Sequence, residues 1–317
     1  MKICIVGPGM MSIPPTGWGA VEILIDDYRN SLEQLGHDVH IVNTKDMNLA
    51  AFIINNLSPD FVHIQYDDYI DLAKDLMCEN IAITSHYAYL ENKTKWNRDY
   101  KNFFIKTCIS NVNVFCLSKG IADTYRDACV SDDRIFVTRN GVRNDLFSFT
   151  KECPRPNDSI YLAKIDERKG QYKYRHIENL WYYGGISDSR FPDWHPRYLG
   201  EISKKELYKD LTQWANLVLL SDGEAHPLVC MEALSAGLGL VISECATSNL
   251  DLSLPFIDVI PNDRLDDIEF IAGVIDTNRK ISIAMRDEIK EYSQTFSWLQ
   301  TVENYYLPAV ESVLGKK

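Results

Sequence analysis

The sequence predicts an α/β protein of two successive domains, each a parallel sheet wrapped by helices. Three observations predict it. Through the first half of the chain, apolar runs of strand length alternate with amphipathic stretches of helix length. The segment Cys153-Pro154-Arg155-Pro156-Asn157-Asp158 then breaks both periodicities, because proline removes a backbone donor and pushes its predecessor away from helix. Beyond it the alternation restarts. A chain of 317 residues fits about two domains and can bury about three quarters of the surface that its unfolded form exposes, so no disulfide or metal is needed to hold the fold.

Residues 2–6 (Lys-Ile-Cys-Ile-Val) read as the first strand. From Ala20 to Leu35, Val21, Leu24, Ile25, Tyr28, Leu32 and Leu35 form one stripe at helical spacing, and Gly36 supplies the stop. Further strands are expected at 39–42, 61–65, 81–84, 112–117 and 135–137, with helical stretches near Leu72, Phe104 and Ala122. The first domain is expected to run over 1–152. In the second domain, 153–296, strands are expected at 160–163, 181–183, 197–199, 217–220 and 240–243. Ser203-Lys204-Lys205-Glu206 is a capping box that opens a helix to about Trp214. Trp298, Val302, Tyr305, Tyr306, Val310 and Val313 place a last helix over about 297–314.

Composition narrows the function. Thirty-three Lys and Arg against 45 Asp and Glu give a net charge of −12, a field that opposes a phosphate backbone or an anionic membrane. No nucleic-acid partner is expected, and an anionic ligand has to be held locally. The 8 cysteines contain no C-x-x-C pair and read as reduced thiols of a cytoplasmic protein. The first apolar run is too short for a signal sequence, and nothing approaches the ~20 apolar residues of a membrane span.

The most informative stretch runs from Ser221 to Gly237: Ser-Asp-Gly-Glu-Ala-His-Pro-Leu-Val-Cys-Met-Glu-Ala-Leu-Ser-Ala-Gly. It follows a predicted strand, Pro227 suits the first turn of a helix, and Val229, Glu232, Ala233 and Ala236 continue at helical spacing. The unpaired amides of that first turn, at Leu228 and Val229, suit a phosphate. With Glu224 in the loop and Glu232 on the helix, two carboxylates can grip separate hydroxyl groups of one extended ligand. On spacing alone, a solvated helix glutamate and an ordinary loop acid remain the alternative.

This segment resembles the E-x7-E motif of retaining glycosyltransferases of the GT-B fold, family 4, the glycogen synthase-like group. Other matches follow in the family's order. They are Pro14-Pro15-Thr16-Gly17-Trp18-Gly19-Ala20-Val21-Glu22 after the first strand, Leu35-Gly36-His37-Asp38-Val39, Ile83-Thr84-Ser85-His86, Cys116-Leu117-Ser118, and Thr138-Arg139-Asn140-Gly141-Val142 before the linker. Ala163-Lys164 with Arg168-Lys169-Gly170, and Tyr198-Leu199-Gly200, continue the set in the second domain. The resemblance implies two Rossmann-like domains facing across a cleft, an acceptor-side domain of 1–152 and a donor domain of 153–296, with the helix of 297–317 crossing back to the first. Linker and crossover would then form the hinge.

The resemblance also assigns roles. Lys164 and Lys169 bind the diphosphate of a nucleotide sugar, UDP- or GDP-linked, and Lys169 neutralises charge as the bond to it breaks. Glu232 accepts from the ribose hydroxyls, the Leu228 and Val229 amides meet phosphate, Glu224 holds the transferred sugar, and His86 approaches that sugar from the first domain. Gly17 and Gly19 let backbone come close to the ligand. Residues themselves add that 164–175 hold five basic and two acidic side chains in an acidic chain, although a solvated basic helix face is the alternative. The implied reaction moves a sugar to an acceptor hydroxyl of a glycan, a lipid-linked sugar or a protein, with retention, no metal ion and no cofactor, and without a separate general base. A lipid-linked acceptor would bring the protein to a membrane surface, with no integral contact. Asp67-Asp68 and Asp132-Asp133 are expected to be solvated.

Departures from the family pattern are Lys164 in place of arginine, which loses the bidentate fork, Ala225-His226, Gly239, and a segment from Lys169 to Trp181 too short for a full helix. The alternatives are a catalytically weak sugar-nucleotide-binding protein and a sugar-nucleotide epimerase of the same fold. A nicotinamide dehydrogenase is disfavoured because the first glycine loop lacks G-x-G-x-x-G.

Overall fold

A computed structural model of the chain describes residues 1–15 and 19–315. It forms two compact units: Met1–Gly141 with Trp298–Lys317, and Val142–Ser297.

The first unit is a six-stranded parallel sheet of β1 (Lys2–Gly7), β2 (Asp38–Asn43), β3 (Phe61–Ile64), β4 (Ile81–Ile83), β5 (Asn113–Cys116) and β6 (Ile135–Val137), in the order β2-β1-β3-β4-β5-β6. All six expected strands are present. Ile3, Cys4, Ile5 and Val6 are buried without alternation, as befits a strand covered by helices on both faces. The stripe over α1 (Ala20–Gln34) buries Leu24, Ile25, Tyr28 and Leu32. Helix α2 (Met47–Leu57), capped by the Asp46 carboxylate, was not anticipated. Asn97 caps α3 (Arg98–Ile109) and Ser118 caps α4 (Lys119–Arg126). Around Leu72 the chain forms a 3-10 helix, Asp67–Asp75, in place of an α-helix.

The terminal helix belongs to this first unit, as expected of a helix that crosses back. Its rings pack on α1 and the sheet: Trp298 and Tyr306 lie 4.7 and 4.8 Å from Tyr28, and Tyr306 meets Phe115 edge-on at 5.7 Å. The helix has α geometry over Trp298–Thr301 and Leu307–Val313 and a π turn over Val302–Tyr306. Pro308 explains the π turn, because it has no N–H for the carbonyl four residues back and its ring displaces that carbonyl.

The second unit contains β7 (Arg155–Leu162), β8 (Leu180–Tyr183), β9 (Trp214–Leu219), β10 (Gly239–Ser243) and β11 (Ile257–Ile260), parallel and ordered β11-β10-β9-β7-β8. Its helices are α5 (Gln171–Tyr174), α6 (Lys204–Asp210), α7 (Leu228–Ser235), α8 (Ile268–Ala284) and α9 (Arg286–Ser293). Several expectations need correction. Residues 197–199 form only a bridge, Tyr182 to Tyr198. Helix α6 has its capping box but stops at Asp210, because Trp214 already opens β9. Strand β7 begins inside the proline-rich break, where a register irregularity between Arg155 and Ser159 accommodates Pro156. There the Arg155 guanidinium lies over the rings of Trp181 and Trp214, at 4.4 and 3.8 Å. Strand β11 and helices α8 and α9 were not anticipated.

Residues 142–152, which the sequence reading groups with the first domain, pack with the second unit. Val142 donates to the Phe296 carbonyl at 2.8 Å and Ser148 to the Tyr208 carbonyl at 2.7 Å. The buried Arg286 guanidinium gathers the carbonyls of Thr150, Thr212, Trp214 and Ala236. No helix among the described residues is long and apolar enough to cross a membrane.

Candidate active site

Strand order locates the candidate site. In the second unit β7 is flanked by β8 on one side and β9 on the other, so the chain leaves β7 one way and β9 the other, and their carboxyl ends open a crevice where doubly wound sheets bind ligands. The loop after β7 carries Lys164 and Lys169. The loop after β9 carries Glu224 and leads into α7. Residues adjacent in neither sequence nor spacing are thus brought to one edge by topology.

The loop after β7 is rigidly held. The Asp166 carboxylate accepts from the Lys169 amide at 2.8 Å, and Tyr161 donates its hydroxyl to the Lys169 carbonyl while accepting from the Leu220 amide at 2.9 Å. Tyr161 is fully buried and ties the end of β9 to this loop. Asp222 N–H donates to the Arg168 carbonyl at 2.8 Å, and the Arg168 guanidinium returns a bond to the Gly223 carbonyl at 2.6 Å. The two loops therefore form one hydrogen-bonded body. Within it Lys169 Nζ is ion-paired with Glu224 Oε1, and Arg168 Nη1 approaches the same oxygen at 3.3 Å. Lys164 has an exposed side chain on a backbone fixed by Gln171, whose amide donates to its carbonyl at 3.0 Å.

Helix α7 starts at Leu228, with Pro227 at the N-cap position rather than inside the first turn. The Leu228 and Val229 amides belong to that first turn, which helical bonding leaves without acceptors, and both residues are partly exposed. One turn on, Glu232 is almost buried and Lys204, the first residue of α6, is paired with its Oε1. The buried Cys230 thiol lies among these charges: burial pushes its ionisation far up, the Glu224 and Glu232 carboxylates add to that, and Lys169 opposes it. Sequence reasoning missed Arg168 as a Glu224 partner, Lys204, and Tyr161. Lys204 was visible only as part of a capping box, and nothing in the local sequence marks Tyr161.

The first unit holds the remaining candidates. His86 follows β4, and its Nε2 is 2.8 Å from the Gln65 carboxamide oxygen. Burial lowers its pKa to about 4. Gly19 is the N-cap residue of α1, where a β-carbon would stand 2.7 Å from the Glu22 carboxylate. Gly17 lies outside the described residues. Asp67 is not the solvated acid expected: its carboxylate accepts from Ser85 Oγ at 3.0 Å, and burial, with Asp68 nearby, lifts its pKa to about 7. Among the described residues no three His, Cys, Asp or Glu side chains are grouped to hold a metal ion.

The two doubly wound sheets with the returning terminal helix give the fold of the GT-B glycosyltransferases. Solved structures sharing it include a sucrose-phosphate synthase from Thermosynechococcus elongatus, 14% identical, TM-score 0.76, covering 95% of this chain and 96% of that one. HepE of Anabaena in complex with UDP-glucose is 12% identical with TM-score 0.72, over 100% of both chains. The lipopolysaccharide outer core galactosyltransferase WaaB, in its apo form, is 16% identical with TM-score 0.67, covering 98% of this chain and 99% of its own. No protein-family model and no curated protein sequence matches the chain.

Proposed function

We propose that the chain is a retaining glycosyltransferase that moves a sugar from a nucleotide diphosphate to an acceptor hydroxyl without a metal ion. The observation that carries this is the convergence of Lys169, Glu224 and the first turn of α7 at the β7/β9 edge. A diphosphate at this edge meets the Lys169 and Lys164 ammonium groups and the amides of Leu228 and Val229, so charge that accumulates on the leaving phosphate is met by fixed donors. Glu224, freed from Lys169 as phosphate takes its place, accepts from hydroxyls of the transferred sugar. Glu232, oriented by Lys204, accepts from the ribose. His86 is assigned to the sugar as well, and Gly17 and Gly19 to close passage of the backbone. The UDP-glucose complex of HepE supports a uridine nucleotide as the first donor to try. The acceptor is a glycan, a lipid-linked sugar or a protein.

Incubation with a panel of radiolabelled UDP- and GDP-sugars tests the reading. Slow hydrolysis without acceptor, with the released sugar keeping its anomeric configuration, supports it. Binding with no release of nucleotide favours a catalytically weak binding protein, to which the single-turn α5 would belong. Failure to bind any nucleotide sugar rejects the assignment.

A further inference from the structure

The first unit has a switch point of its own. In the order β2-β1-β3-β4-β5-β6, β1 is flanked by β2 on one side and β3 on the other, so the chain leaves β1 one way and β3 the other. The carboxyl end of β1 therefore lies where doubly wound sheets receive ligands. Helix α1 begins on that side, after Gly19. The start of the loop that leads to it is held by Asn43, whose carboxamide oxygen accepts from the Gly9 amide and whose nitrogen donates to the Met11 carbonyl, both at 2.7 Å.

Two sets of polar groups stand open at this helix terminus. The first is its amides. Gly19 is the N-cap and brings no side chain, so the oxygen that serine, threonine or aspartate would place on the first turn is missing. The Ile23 amide donates to the Gly19 carbonyl at 2.9 Å, and among the described residues no acceptor meets the amides of Ala20, Val21 and Glu22. Ala20 is exposed and Val21 partly so. The second is a carboxylate. Glu22 is only 5% exposed, yet among the described residues it makes no hydrogen bond and no ion pair. Its side chain folds back over the start of its own helix, so that a β-carbon on Gly19 would stand 2.7 Å from Glu22 Oε2. Buried carboxylates are ordinarily supplied with donors, because burial takes their water away. Here the fold supplies none.

The combination of open donors and an open acceptor selects the ligand group. A phosphate suits the amides but meets the Glu22 carboxylate as like charge. An ammonium suits Glu22 but meets the positive end of the helix dipole. A hydroxyl satisfies both, since its proton goes to the carboxylate and its lone pair takes an amide. The two oxygens of one carboxylate match hydroxyls on neighbouring carbons.

We propose that the start of α1 is a diol-binding subsite of the first unit, in which Glu22 takes the protons of two adjacent hydroxyls while the Ala20 and Val21 amides donate to their oxygens. That the diol belongs to a sugar rests on the glycosyl-transfer reading; that the terminus takes neutral hydroxyls and refuses anions does not.

Amide nitrogen-15 NMR of the deuterated full chain reads the subsite at Ala20, Val21 and Glu22. The probes are inorganic phosphate, UDP, UDP-glucose, and the methyl glycosides of glucose, galactose, mannose and N-acetylglucosamine. At least one sugar-bearing probe is expected to shift these amides, and phosphate and UDP are expected not to. A response to UDP-glucose alone gives the diol to a donor sugar and a response to a methyl glycoside gives it to an acceptor; both support the subsite. Glu22→Ala is expected to weaken that sugar roughly tenfold or more, the scale of a lost charge-assisted hydrogen bond, and to let phosphate shift the Ala20 and Val21 amides, as a bare helix terminus does. Glu22→Gln, of the same shape with one acceptor oxygen in place of two, is expected to lose severalfold. A glutamate that only steadies its helix would lower the urea midpoint of Glu22→Ala and leave sugar affinity unchanged, which overturns the proposal. A wild type whose α1 amides respond to phosphate, or to none of the sugars, overturns it as well. The Leu228 and Val229 amides report separately on the second unit: silence there toward both UDP and UDP-glucose fails the glycosyl-transfer reading, and the α1 amides still decide this one.

Discussion

Lys169 and Glu224 are ion-paired although 55 residues separate them in sequence, and their side chains are only 11% and 10% exposed. A pair so poorly hydrated is expensive to break from one side, by about 3–5 kcal/mol when one partner is simply deleted. Arg168, 3.3 Å from the same carboxylate oxygen, lowers that cost for loss of Lys169. The cation that the proposed reaction needs for phosphate is therefore already engaged by an acid, and phosphate and carboxylate compete for it. Glu224→Gln is expected to raise UDP affinity severalfold while lowering turnover of the nucleotide sugar. Lys169→Ala is expected to weaken UDP binding roughly tenfold or more, at the scale of a charge-assisted hydrogen bond, and UMP binding less. Isothermal titration of both nucleotides with both variants decides it; equal losses for UMP and UDP would remove Lys169 from the diphosphate.

The pair formed by Lys204 and Glu232 makes a different prediction. The ammonium takes Oε1 of Glu232 and leaves Oε2 for the proposed contact with the ribose. Lys204→Met is expected to weaken nucleotide binding severalfold, and Glu232→Gln by a similar factor. Because the two act through one carboxylate, the double variant should lose little more than either single one. Additive losses in a double-mutant cycle would show that Lys204 meets the ligand independently.

Much of the architecture was legible because strand signals are local. Residues 2–6, 39–42 and 112–117 are apolar runs that no helix pattern competes with, and the capping box at Ser203 and the glycine stop at Gly36 named their helices' ends. What escaped depended on distant partners. Strand β11, Ile257-Asp258-Val259-Ile260, is too short and mixed to stand out, and it is a strand because β10 offers it a ladder over Leu240–Ser243. The 142–152 stretch reads as a continuation of the first domain, yet Arg286, far along the chain, anchors its Thr150 carbonyl in the second unit. In the site, the glutamates and lysines were visible as residue types in a familiar order, but not their pairing, since Lys169 to Glu224 and Lys204 to Glu232 are created by the strand order β9-β7-β8.

Chelation is expected to leave turnover intact. In the proposed site the ammonium groups of Lys164 and Lys169 and the positive end of α7 balance the diphosphate, which is the part a divalent ion plays elsewhere. Initial rates of nucleotide-sugar hydrolysis after exhaustive EDTA dialysis, with and without added magnesium or manganese, test this. Loss of turnover on dialysis with recovery on metal addition would contradict the metal-free reading.

Buried titratable groups of the first unit give stability a pH dependence of definite sign. His63 has its folded pKa lowered to about 3 by burial, with His86 adding to the effect, whereas an unfolded histidine takes a proton near 6.5. A depressed pKa contributes stability that is complete above about 6.5 and is lost as pH falls toward 3, because the unfolded chain binds a proton that the folded one refuses. His86 acts in the same direction over about 6.5 to 4. Asp67 runs the other way: its raised pKa favours the protonated fold, so its contribution is greatest below about 4 and declines as pH rises to about 7. His63→Gln is expected to flatten the fall in urea midpoint as pH drops from about 6.5 to about 4, and Asp67→Asn to steepen it, because protonation of the folded carboxyl no longer offsets the histidines. Unchanged slopes would mean that these groups titrate alike in both states.

Gly184 shows how closely the site's framework is drawn together. It follows β8 beside the residue that precedes Lys164, with φ at 141°, and a β-carbon built on it would lie 2.0 Å from the Ala163 carbonyl oxygen. Its own N–H donates to the Gly200 carbonyl at 2.9 Å, and Ala163 N–H donates to the Tyr183 carbonyl at 3.1 Å. The obstruction is backbone on both sides, so no side-chain rotation relieves it. Gly200 is the control: its φ of 82° is equally unfavourable to other residues, but open space surrounds the position of its β-carbon. Gly200→Ala should therefore cost only the conformational penalty, about 1–2 kcal/mol. Gly184→Ala should exceed it, because the ends of β7 and β8 must separate, and separation moves Lys164 away from the proposed phosphate site. Urea denaturation of the two variants, paired with UDP titration, distinguishes the cases. The expected result is a larger drop in midpoint for Gly184→Ala, accompanied by weaker UDP binding, and equal midpoints with unchanged binding would show that the β7 loop yields without consequence for the site.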